Sequence, residues 1–105
     1  MRGDEEKLRL RQEVETRMVK LLDDIGDKLG PERVSTAKDF VEHGEYGVAL
    51  EFIADWLDED DIAISRQELK MMESLHRMMG GDGPTLKMET RLRRLTIADD
   101  GDALL

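Results

Sequence analysis

Asp58-Glu59-Asp60-Asp61 is the densest chemistry in the chain, four consecutive carboxylates of the kind that bind a divalent cation. An EF-hand loop opening at Asp58 needs an oxygen ligand at its fifth position, Gly at its sixth and Glu at its twelfth. The chain offers Ile62, Ala63 and Leu69 there, so the template fails. Asp99-Asp100-Gly101-Asp102 is shorter and unframed. A solvated acidic face is the simpler reading, and no metal or cofactor is expected.

Catalytic groupings fare no better. His43 precedes Gly44 at a predicted helix end, where a histidine satisfies terminal carbonyls and the dipole. His76 follows Leu75 on or beside an apolar helix face, and neither histidine lies in an HExxH pattern. Ser35, Ser65 and Ser74 lack the surroundings of a nucleophile elbow. Gly80-Gly81-Asp82-Gly83 follows a helix rather than a strand and has no Lys-Ser/Thr behind it, so it is not a P-loop. Glu51 and Asp55 could exchange protons, but nothing convergent accompanies them. No catalytic residue and no enzyme activity are expected.

Carboxylates can also recognise a partner, and their placement favours that use. The formal net charge is −9, from 25 Asp and Glu against 16 Lys and Arg. Nine of the acids fall between positions 39 and 61, where no Lys or Arg occurs; the other 16 match the 16 cations. One segment therefore holds the whole net charge. A concentrated patch of one sign steers a partner of the other. Nucleic acid is not expected on this face, because phosphate contacts need Lys and Arg. The complement is a basic protein, and the candidate contact residues are Glu45, Glu51, Asp55, Asp58, Glu59, Asp60 and Asp61.

These carboxylates must be positioned by a helix over about Glu45 to Asp58. On a helical wheel Glu51, Asp55 and Asp58 form one stripe, and most of the remaining circumference is apolar. An apolar circumference predicts the buried centre of a domain, with only that stripe reaching solvent. All four aromatic residues lie between Phe40 and Trp56. Before this helix, residues 4–29 read as a long first helix through Val14, Met18, Leu21, Leu22, Ile25 and Leu29. Its first two turns are charged apart from Leu8 and Leu10, and are expected to project or to meet a second copy. Gly30-Pro31 stops it, Pro31–His43 forms a second helix, and Gly44 caps that in a left-handed conformation. Ile62 and Ile64 alternate in a short extended link. Ser65 then opens a fourth helix with the capping box Ser-Arg-Gln-Glu. In Met71-Met72 and Met78-Met79 one of each pair should face the core.

Residues 1–80 thus read as a helical domain. Residues 81–105 read as a Gly/Pro break, a basic segment and an acidic tail expected to be disordered. Leu86–Leu95 fits either a helix or a strand, and its cations could touch nucleic acid or fold back onto the acidic face of the same or a second chain. The fold class is all-α, a small bundle of four main helices with a variable C-terminal segment. Cysteine is absent and the first residues contain no apolar signal region. No run of about 18 apolar residues occurs, so neither a signal peptide nor a membrane span is expected and a cytoplasmic location fits.

One resemblance adds to this. Glu42-x-Gly44-Glu45-Tyr46-Gly47-x-Ala49-Leu50-Glu51, then Leu57, an acidic turn and Asp61-Ile62-x-Ile64-Ser65, is similar to small bacterial immunity proteins. The likeness is to the MafI-like group and some contact-dependent-inhibition immunity proteins, and it runs from about Lys38 to Met79. It implies a non-enzymatic protein that neutralises a cognate polymorphic toxin, often a nuclease, inside the producing cell. Contact residues vary within such groups, so the resemblance implies the role and not the interface. The alternative is a helical adaptor or regulatory homodimer that pairs through the first helix and the methionine-rich helix.

Overall fold

The apolar period of the first thirty residues builds a single helix, α1 (Arg2–Leu29), in a computed structural model that describes residues 2–80 and 87–98. At 1.5 Å per residue it is about 42 Å long. Val14, Met18, Leu21, Leu22, Ile25 and Leu29 repeat every three or four residues and are all buried. α1 packs against α2 (Pro31–Glu42), α3 (Tyr46–Glu59) and α4 (Arg66–Met78). Gly3–Glu13 is exposed throughout, with Leu8 57% and Leu10 45% accessible. The helix therefore extends its charged N-terminal turns past the last core residue, Val14.

The ends of α1, α2 and α3 are each closed by a residue at positive φ. Gly30 (φ +96°) ends α1 and Pro31 starts α2. At the end of α2, Gly44 adopts φ +74°; its amide bonds the Val41 carbonyl while the Glu45 amide bonds that of Phe40. This pair of bonds is a Schellman motif, and it lets α3 start almost at once. The same motif closes α3: the Asp61 amide bonds the Asp58 carbonyl and the Ile62 amide bonds that of Leu57. Here the left-handed position (φ +50°) is held by Asp61 instead of glycine.

The fourth helix begins as its sequence requires. The Ser65 hydroxyl accepts from the Glu68 amide at 3.0 Å, and Glu68 Oε1 accepts from the Ser65 amide at 2.8 Å. Lys28 of α1 reaches the same Glu68 oxygen at 2.8 Å, so the buried cap also ties α4 to α1. Met72 faces the core and Met71 lies at its edge, as the pairing predicts. Met78 and Met79 are both half-buried, because α4 ends between them and the helical period lapses.

Of the two forms open to the basic segment, a helix is present: α5 (Lys87–Arg93), packed on α3 and α4. Met88, Leu92 and Leu95 are buried with the main core. Past α5 the chain runs parallel to the 62–64 link. The Ile64 amide donates to the Thr96 carbonyl and the Ala98 amide to the Ile64 carbonyl, each at 2.9 Å, and Ile64 bridges Ile97. Five helices and no strand occur among the described residues. The expected tail disorder concerns residues 99–105, outside the described residues, as does most of the Gly/Pro break. Among the described residues no helix is long and apolar enough to cross a membrane.

α3 is not the all-round buried centre that its composition predicts. Ala49, Leu50, Ile53, Ala54 and Leu57 form one buried arc, while Val48 (37%) and Phe52 (39%) are exposed. The longer α1 has taken the role of the element around which the others gather. It covers only one arc of α3; α2 and α5 flank it and leave the outer arc open to solvent.

Candidate partner-binding face

Val48, Phe52, Asp55 and Glu59 follow one another along the outer arc at four-, three- and four-residue spacing, with Glu51 beside them. Residues so spaced share a helix face. The seven candidate carboxylates end in different surroundings. Asp55 pairs with Arg91 at 3.0 Å and Asp58 with Arg94 at 3.4 Å, both through α5 and its exit. Asp60 pairs with Arg33 of α2 at 2.6 Å. Asp61 accepts a hydrogen bond from the Thr96 hydroxyl at 2.7 Å while serving as the left-handed cap. Glu51 and Glu59 are exposed and have no ion-pair or hydrogen-bond partner among the described residues. Glu45 is exposed at the start of α3 and makes no side-chain cap.

The proposed patch is thus divided. Asp55, Asp58, Asp60 and Asp61 are engaged within the chain, and Glu45, Glu51 and Glu59 remain open. The basic segment has folded back onto the acidic face of the same chain. Partly exposed ion pairs are worth about 0–1 kcal/mol each. Their effect here is to lower the uncompensated charge at the α5 side of the helix.

An aromatic ledge borders the open carboxylates. Phe52 stacks on Phe40 with ring centroids 5.2 Å apart and an interplanar angle of 15°. Trp56 meets Phe52 at 5.6 Å and a tilt of 44°. The Arg33 guanidinium lies 5.6 Å over the Trp56 ring while it pairs with Asp60. The apolar circumference of α3 predicts a buried Phe52, whereas its side chain is exposed. Its position between Glu51 and Asp55, in line with Val48 and Glu59, is the signal that it faces outward.

His43 sits where α2 turns into α3. Nδ1 donates to the Asp39 carbonyl at 2.7 Å, the helix-end contact expected of it. That hydrogen bond, with smaller help from the charges of Asp39, Glu42 and Glu45, raises its pKa above 6.5, against a lowering by desolvation. A pKa raised by folding means that the contact stabilises most when histidine is protonated. The contribution is complete below the unfolded-state pKa and is lost as pH rises through the folded value. An imidazole NMR titration should therefore give a midpoint above that of an unstructured histidine peptide. His43→Ala should remove the corresponding pH dependence of stability.

Elsewhere the features are modest. A shallow groove between α1 and α4 is lined by Arg17, Arg66, Gln67, Lys70, Met71 and Ser74. The Ser74 hydroxyl accepts from Arg17 Nη1 at 3.0 Å; this neighbour is a hydrogen-bond donor and cannot act as its base. His76 is half-buried on α4. Among the described residues no group of three or more Asp, Glu, His or Cys is placed to hold a metal ion. Comparison with protein-family models, with curated proteins and with solved structures gives no match to this chain.

Proposed function

We propose that this chain is a cytoplasmic bacterial immunity protein that binds and neutralises a cognate polymorphic toxin through the acidic outer face of α3, without catalysing a reaction. One observation carries the reading. The entire net charge falls between positions 39 and 61, and Glu45, Glu51 and Glu59 keep solvent-facing carboxylates beside an exposed phenylalanine. The motif resemblance over residues 38–79 points the same way. A nuclease toxin must present a positive surface to its substrate. An acidic helix that occupies this surface excludes the substrate by competition. Charge complementarity chiefly raises the association rate, which suits a protein that must reach its target before damage is done.

Co-expression with the toxic domain encoded beside this gene tests the reading, and restored growth is the expected outcome. Continued toxicity with every such neighbour, at confirmed expression, refutes it. A second reading, a helical adaptor or regulatory homodimer, is favoured by the exposed Leu8 and Leu10 on the projecting turns of α1. Sedimentation separates the two. A tight dimer that Leu8→Lys and Leu10→Lys convert to monomer supports the adaptor, and a monomer at micromolar concentration removes it.

A further inference from the structure

The ledge on α3 has two properties that together select a ligand. It is apolar at its centre, where Val48 and Phe52 are exposed on a helix whose opposite face is fully packed. Around that centre the free charges have one sign: Glu51 and Glu59 have no partner among the described residues, and Glu45 lies at the same end as Val48. Glu51, Asp55 and Glu59 are each one turn apart, about 6 Å along the axis.

We propose that this ledge is a docking site for an arginine-bearing apolar segment of a partner protein, with Phe52 as the anchor. The inference rests on the neutralisation reading for its biological setting and deepens it by naming the partner's chemistry. A guanidinium fits better than an ammonium, because it stacks on an aromatic face and meets carboxylates with a planar fork. The chain itself supplies the precedent one turn away, where Arg33 lies over Trp56 and pairs with Asp60. Arg91 on Asp55 shows that an arginine from a neighbouring helix reaches the same row. An aliphatic side chain of the partner covers Phe52 and Val48 and excludes water, the condition under which a few anchors dominate binding. A second copy paired about a two-fold axis is a poor occupant, since Glu51, Asp55 and Glu59 would face their own counterparts. An anionic membrane is repelled for the same reason.

The test uses the full chain and three alanine-based helical peptides with leucine and two further residues at one-turn spacing. Those two residues are arginine, lysine, or neutral citrulline. Trp56 is the single tryptophan and belongs to the ledge, so its fluorescence reports docking. The arginine peptide should bind at least about tenfold more tightly than the citrulline peptide, and the lysine peptide should fall between. Phe52→Ala and Val48→Lys replace exposed side chains and should each weaken arginine-peptide binding by about tenfold or more, with circular dichroism unchanged. Equal binding of the arginine and citrulline peptides overturns the proposal. So does undiminished binding by both variants, or self-association of the chain through this face. Toxin rescue that survives Phe52→Ala and Val48→Lys sinks the ledge and leaves neutralisation standing. Arginine-selective binding without rescue by any neighbouring toxin does the reverse.

Discussion

Leu92→Ala should lower the free energy of unfolding by about 2–4 kcal/mol, close to the loss expected for Leu75→Ala in α4. Leu92 belongs to a seven-residue helix beyond a Gly/Pro break, where truncation of an appendage would change stability by less than about 0.5 kcal/mol. Yet its side chain is only 3% accessible and joins the one core cluster with Met88 and Leu95. The cost therefore comes from lost transfer energy and an unfilled cavity at the junction of α3, α4 and α5. Arg91→Ala and Arg94→Ala each remove one partly exposed ion pair and should cost no more than about 1 kcal/mol. Urea unfolding followed by circular dichroism measures all four. A small effect at Leu92 with large effects at the arginines would mean that α5 is held by charge and not by its apolar side.

The contrast between these effects explains what the sequence made legible. Local chemistry settled the helix ends: Ser65 with Glu68, Gly30 with Pro31, and Gly44 each met the geometry their types require. Those signals act within a few residues and need no tertiary partner. α5 is different. A seven-residue helix is too short to be stable alone, so its form depends on contacts with α3 and α4 that no local pattern records. Phe52 lies between the two cases: its place in line with Val48 and Glu59 is a local signal, but the degree of its exposure is decided by how far α2 and α5 reach around α3. Asp61 resisted reading for another reason. A non-glycine residue at positive φ is uncommon, and a run of four acids suggested a binding patch before it suggested a helix cap. Within the candidate face the charge was legible, and which charges remain open was not, since that depended on where Arg33, Arg91 and Arg94 came to rest.

That division decides which charges to reverse. Glu51→Lys with Glu59→Lys should slow association with a basic toxin partner by about tenfold or more at low ionic strength, within the range that electrostatic steering supplies. Reversal at Asp55 or Asp58 would be a poorer test, because a lysine there faces Arg91 or Arg94 and mixes loss of an intrachain ion pair with any effect on association. Glu51 and Glu59 are solvent-facing, so the double variant should keep its free energy of unfolding within about 0.5 kcal/mol of the parent. Stopped-flow measurements across salt concentrations separate steering from contact. Near 1 M salt the screening length is about 3 Å, and the association rates of parent and variant should converge. What persists there is the difference in dissociation rate, which reports how closely the two glutamates touch the partner. An association rate equal to that of the parent at low salt would place the docking surface away from α3, and the projecting turns of α1 would become the surface to test.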